Sequence, residues 1–159
     1  VKLHLGQEIS WHRDLLHHLK EKDLIPLANS KYLLLELPFE EALEDLEEKI
    51  YNLRTLGYEI IIAHIECYNY LDFKDILAYS ELPISFQVNS GSITGRNGKV
   101  SRKLAFKLLR HRLVKYVASD IHSFREYDLD KAYQIVKDKF GLAYANEIFI
   151  DNPKWIINN

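Results

Sequence analysis

Short apolar runs along this chain alternate with longer segments whose apolar residues recur every three or four positions. Residues 1–9 read as a strand, 14–22 as a short helix and 32–37 as a buried strand. The plainest helix is 39–56. Phe39, Ala42, Leu43, Leu46, Ile50, Leu53 and Leu56 share one face, carboxylates stand between them, and Gly57 is placed to end it. Residues 59–65 are rich in β-branched side chains and predict a strand buried on both faces. A helix at 73–79, a strand at 84–88 and a glycine-containing loop at 89–98 follow. Then come a helix at 100–112, a strand at 116–119, a helix at 129–140 closed by Gly141, and a final helix at 143–150 ahead of Asn152-Pro153. Five strand-then-helix units in succession predict an α/β fold with a parallel sheet, either doubly wound or closed into a barrel. No linker or repeat divides residues 1–159, so a single domain is expected.

Charge and composition narrow the function classes. Lys and Arg number 21 against 23 Asp and Glu, a formal net charge of −2, which argues against a dedicated nucleic-acid partner. No apolar run approaches the ~18 residues that span a bilayer, so no membrane insertion is expected. The N-terminus shows no charged-then-apolar leader pattern. The one cysteine, Cys67, excludes an internal disulfide and suits a reducing, cytoplasmic setting.

Parallel α/β folds gather functional groups at the C-terminal ends of their strands. Here those ends carry Gln7-Glu8, Glu36, His64 with Glu66, Gln87 with Asn89, and Asp120 with His122. Glu8, His64, Asp120 and His122 can therefore meet at one mouth. Their mixed oxygen and nitrogen donors suit Mn²⁺, Fe or Zn²⁺, ions that acidify water and clamp phosphoryl oxygens. Asp120 and His122 would share one side of an extended chain. Structural alternatives stand beside each: Glu8 as an exposed carboxylate, His64 as a core histidine bonded to a carbonyl. His12, His17, His18 and His111 read as solvated, and His4 as a structural residue of the first strand.

Gly6-Gln7-Glu8-Ile9, Ile62-Ala63-His64-Ile65-Glu66 and Val117-Ala118-Ser119-Asp120-Ile121-His122 stand in the order found in the polymerase and histidinol phosphatase (PHP) superfamily. The chain most resembles its bacterial protein-tyrosine phosphatases of capsule and exopolysaccharide operons. Asn29-Ser30-Lys31-Tyr32, Gln87-Val88-Asn89-Ser90-Gly91-Ser92 and Asp151-Asn152-Pro153 support that branch. The resemblance implies a distorted seven-stranded parallel (β/α) barrel holding divalent metals, usually manganese. It implies a metal-dependent phosphomonoester hydrolase acting on the phosphotyrosine tail of a bacterial tyrosine kinase. By motif position Glu8, His64, Asp120 and His122 are similar to the family's metal ligands, and Arg125 stands for an arginine that binds substrate phosphate. A small-molecule phosphohydrolase and a degenerate, non-catalytic binding protein are the alternatives.

Two departures qualify the resemblance. The chain begins at Val1, contains no methionine, and lacks the family's opening His-x-His strand and second-strand histidine. Five C-terminal βα units are thus expected, with the first two absent, and this chain alone is expected to hold metal poorly and turn over little. Its open sheet edges favour pairing with another chain, so a homo-oligomer is one expectation. The second departure is Cys67, where relatives carry an arginine. A thiol cannot hold phosphate bidentately, so a weakened site is expected, with a low-pKa nucleophile as the alternative.

Overall fold

The computed structural model describes residues 2–21, 23–122 and 127–158. Its centre is a five-stranded, wholly parallel sheet in the order β1-β2-β3-β4-β5. The strands are β1 (Glu8–Ser10), β2 (Tyr32–Glu36), β3 (Glu59–Ile62), β4 (Ile84–Asn89) and β5 (Val114–Ala118). Each strand lies beside its sequence neighbour, the topology that right-handed helical crossovers produce. β3 packs Ile60, Ile61 and Ile62 against both layers, as its unbroken apolar run predicts. β2 buries Leu33 and Leu35.

Helices α1 (Leu15–Glu21), α2 (Leu46–Thr55), α3 (Phe73–Tyr79), α4 (Ser90–Thr94), α5 (Lys99–Arg110) and α6 (Leu129–Phe140) follow the strands. α7 (Leu142–Asn146) and α8 (Asn152–Asn158) close the chain. Each long helix buries one stripe: Ile50 and Leu53 on α2, Leu108 and Leu109 on α5, Ala132 and Val136 on α6. These residues join the strand interiors in one apolar core.

Several expected boundaries move, and the reasons lie near the strand ends. The first strand is confined to Glu8–Ser10, while Leu3 and Leu5 before it are 89% and 64% exposed. His4 is exposed there too, so it is no core residue. The helix expected over 39–56 starts only at Leu46, because Asp45 adopts a left-handed conformation (φ 52°) that interrupts α-helical hydrogen bonding. Phe39 is thereby released to the mouth of the sheet. The run expected to extend to residue 65 stops at Ile62. His64 turns left-handed (φ 31°) and opens a 3₁₀ turn over Ile65–Cys67. The loop expected at 89–98 instead begins with α4. At the other end, a π-helical turn over Glu147–Asp151 joins α7 to α8, so the helix passes Pro153 rather than ending at residue 150. Pro153 falls in the first turn of α8, where its missing N–H is tolerated.

Candidate metal centre

At the C-terminal ends of the strands lies a cleft of about 520 Å³. Glu8, Ser10, Glu36, Phe39, His64, Cys67, Asn89, Asn97, Ser101, Asp120 and His122 line it. The four expected ligands all reach this one mouth, but they fall into two groups.

The first group comes from β1, β2 and the turn that follows β3. Parallel register sets Ser10 beside Glu36 and Glu8 beside Leu34, so Glu8 and Glu36 share one face of the sheet, two residues apart along it. The left-handed turn after β3 swings His64 between them. His64 Nε2 stands 2.9 Å from Glu8 Oε1 and 3.4 Å from Glu36 Oε1. One donor atom from each of Glu8, Glu36 and His64 lies within 4.8 Å of the other two, close enough for a shared cation. The Ser10 hydroxyl donates to the second oxygen of Glu36 and leaves the first facing His64. Phe39 stacks on the imidazole, with ring centres 5.5 Å apart and planes 18° apart, and Tyr68 packs at 5.5 Å. Burial, the largest single influence, lowers the His64 pKa. The hydrogen bond with Glu8 and the charges of Glu8, Glu36 and Glu66 together overcome it, so the value rises above 6.5.

The second group lies after β5. Asp120 and His122 are paired, with Nε2 3.3 Å from Oδ1. Alternation along an extended chain is not what pairs them: β5 ends at Ala118, and Asp120 is left-handed (φ 45°). Non-glycine residues in that region carry strain of about 1–3 kcal/mol and collect at functional sites. Here His64 and Asp120, one candidate ligand in each group, both adopt it.

A chain of hydrogen bonds ties the two groups together across the strand ends. The His64 backbone N–H donates to Gln87 Oε1 at 2.7 Å. Gln87 Nε2 donates to Asn89 Oδ1 at 2.9 Å, and Asn89 Nδ2 donates to Asp120 Oδ2 at 2.9 Å. Beneath it, Glu66 Oε1 accepts from the Asn89 N–H and from the Ser92 hydroxyl, at 2.9 and 2.6 Å. Its Oε2 is buried without a partner, as is His64 Nδ1. Burial raises the Glu66 pKa against these hydrogen bonds. Burial, then the Glu66 charge, push the Cys67 thiol up to about 12. In the metal-free chain this keeps Cys67 a neutral thiol near pH 7, which works against the low-pKa nucleophile.

Glu36 is a candidate ligand outside the four motif positions, although its place at a strand end is legible in the sequence. Gln87 and Asn89 are legible in the same way. Arg125 lies outside the described residues. The donors fit a divalent cation: three carboxylates and two imidazoles line the cleft, and among the described residues no Lys or Arg lines it to balance them.

Residues 1–158 match the model of a family described as "Capsular polysaccharide synthesis, CpsB/CapC". Tyrosine-protein phosphatase CpsB of Streptococcus pneumoniae is 32% identical over 96% of this chain and 66% of its own length. Tyrosine-protein phosphatase YwqE of Bacillus subtilis (strain 168) is 31% identical over 100% of this chain and 65% of its own. Putative tyrosine-protein phosphatase CapC of Staphylococcus aureus is also 31% identical, over 100% of this chain and 64% of its own. The chain thus spans about two thirds of the length of these relatives. A solved chain superposes with a TM-score of 0.90 at 27% identity, covering 97% of this chain and 64% of that one. It comes from crystal structures of YwqE and CpsB, described as unique metal-dependent tyrosine phosphatases.

Proposed function

This chain belongs to the CpsB/CapC capsular polysaccharide synthesis family, and on that premise we propose that its cleft is the larger part of a metal-dependent phosphotyrosine phosphatase site. One observation carries the reading: Glu8, Glu36, His64, Asp120 and His122 open into a single cleft with no Lys or Arg lining it among the described residues. A phosphate dianion is repelled by such a wall unless cations stand between. Glu8, Glu36 and His64 would hold one ion, and Asp120 with His122 would contribute to another. When bound, these ions supply Lewis acidity, polarising the phosphoryl group and acidifying water; manganese is the metal we assign, with iron or zinc as alternatives.

The chain's own residues orient and shield. Gln87 and Asn89 hold the His64 turn and Asp120 in one frame. Phe39 and Tyr68 keep the His64 ring in place and water away from one face. The complete protein would close the sheet into the seven-stranded barrel, act in the cytoplasm, and take the tyrosine-phosphorylated tail of a kinase as substrate.

Steady-state hydrolysis tests this. The protein at the full length of its relatives, supplied with Mn²⁺, should cleave phosphotyrosine peptides and p-nitrophenyl phosphate and lose both activities on chelation. The chain of 159 residues should bind Mn²⁺ weakly and turn over slowly. Metal-independent turnover would overturn the assignment. Hydrolysis of small phosphomonoesters without phosphotyrosine peptides would favour the small-molecule alternative, and metal binding without any turnover the non-catalytic one.

A further inference from the structure

The near-neutral charge of the whole chain conceals a strongly one-sided segment. From Leu82 to Ser119 there is no Asp or Glu, while Arg96, Lys99, Arg102, Lys103, Lys107, Arg110, Arg112 and Lys115 supply eight cations. All eight are exposed. At the two ends of this run, Arg96 faces Asp128 and Lys115 faces Glu147. Between them, on α5, Lys99, Arg102, Lys103, Lys107 and Arg110 have no carboxylate within 4.0 Å among the described residues. Arg102 and Lys107 rest instead on the faces of Phe106 and Phe73.

This arrangement works against the helix that carries it. Lys99, Lys103 and Lys107 repeat at i, i+4, where like charges repel. Lys99 and Arg102 occupy the first turn, where the helix dipole disfavours cations, and no acidic residue offsets them there. Packing of Ala105, Leu108 and Leu109 holds α5 in place, and of its cations only Arg102 and Lys107 add to that, through their aromatic contacts. A surface that violates local preference for so small a structural return points to a ligand.

Position identifies the ligand's chemistry. Asn97, just before α5, and Ser101, in its first turn, line the metal cleft. The basic face starts at that rim and runs the length of α5, about 18 Å for a helix of this size. The cleft interior is acidic and the track leading from it is basic. We propose that the exposed face of α5 docks a polyanionic peptide, one carrying several phosphorylated or acidic side chains in succession. One phosphate enters the cleft while the rest of the peptide lies along Lys99, Lys103, Lys107 and Arg110. The proposal rests on the phosphatase reading of the cleft and extends it from one phosphate to a multiply charged segment.

The test is fluorescence anisotropy with a 12-residue peptide bearing three phosphotyrosines, a length of roughly 40 Å when extended. The chain should bind it, with affinity falling steeply between about 50 and about 300 mM NaCl. The triple variant Lys99→Glu, Lys103→Glu, Lys107→Glu should weaken binding by about tenfold or more and flatten the salt dependence. Replacing the same lysines with Gln should have an intermediate effect, and circular dichroism checks that both variants fold. Inorganic phosphate, titrated calorimetrically in the presence of Mn²⁺, should bind the same variants at the full length of the relatives as it binds the unsubstituted full-length protein. Unchanged peptide affinity in the triple variant overturns the proposal. So does α5-dependent binding to vesicles of about 30% phosphatidylserine that exceeds peptide binding, since the face would then be a membrane contact. Peptide binding through α5 with no Mn²⁺-dependent phosphate binding by the full-length protein would support α5 docking and refute the phosphatase reading instead.

Discussion

The two halves of the cleft hold their ligands by different means. On the β1–β3 side, Glu8 and Glu36 come from paired strands that turn them to one face, and His64 meets them from the turn after β3. On the β5 side, Asp120 and His122 are two positions apart on one segment, and the Asp120 side chain is held by Asn89. The His64 side chain is 5% exposed, whereas that of His122 is 56% exposed. The first half rests mainly on the sheet, with one hydrogen bond to Gln87 fixing the His64 turn. The second depends on a hydrogen-bonded frame to present its donors.

Removing one donor from each half gives the largest effect. Glu36→Ala should lower Mn²⁺ affinity by more than about 100-fold, beyond the 10–100-fold range of residues that merely orient ligands. His122→Ala should cost about tenfold or less, because an exposed imidazole contributes less to a desolvated site. Isothermal titration of the two variants settles the ranking. Equal losses would show one site of equivalent partners and erase the distinction between the halves.

Next in size is the frame between them. Asn89→Ala removes the donor to Asp120 and should weaken metal binding by about 10-fold. A double-mutant cycle sharpens this. Asn89→Ala and His122→Ala should couple by about 0.5–3 kcal/mol, since both act on Asp120. Asn89→Ala and Glu8→Ala should add. Strong coupling to Glu8 would mean the hydrogen bonds through Gln87 and His64 transmit across the whole cleft.

The sequence made some of this legible and hid the rest for physical reasons. α3 and α6 fall where their periodicity puts them, because Asp72 caps the one and an apolar stripe of Ala132 and Val136 anchors the other. The strand order follows from the repeated βα units. The left-handed turns at Asp45, His64 and Asp120 carry no glycine and leave no mark in hydropathy. They shorten the helix after β2 and the strand before His64. Glu36 escaped the ligand set because a lone glutamate at a strand end looks like any boundary residue. Only its register with Ser10 and its distance to His64 reveal it.

A smaller effect separates the metal-free halves by pH. His64 has its pKa raised above 6.5, so the stability it contributes is full below that value and is lost as pH rises through the higher folded value. Urea midpoints of the metal-free chain should therefore fall between about pH 6 and about pH 8. His64→Gln should flatten this decline. A decline that persists unchanged in His64→Gln would place the charge coupling outside the β1–β3 half.

The smallest expected effect concerns Cys67, which sits in the cleft wall on the turn between the halves. Burial and the neighbouring Glu66 charge push its thiol up to about 12. At pH 7.5, on the order of one thiol in 10⁴ to 10⁵ is then ionised. A neutral thiol is a poor nucleophile and a poor metal ligand. Cys67→Ser keeps the size and neutrality of the side chain. It should change Mn²⁺ affinity by less than about threefold, within the range of substitutions that disturb no specific contact. Iodoacetamide at neutral pH should label the folded chain slowly and the urea-unfolded chain fast, because unfolding removes both causes of the raised pKa. In the full-length protein, phosphatase activity should survive Cys67→Ser. Loss of activity, or a tenfold loss of metal affinity, would mean that a bound cation draws Cys67 into its coordination as thiolate, and the cleft would then be one mixed oxygen, nitrogen and sulfur site rather than two unequal halves.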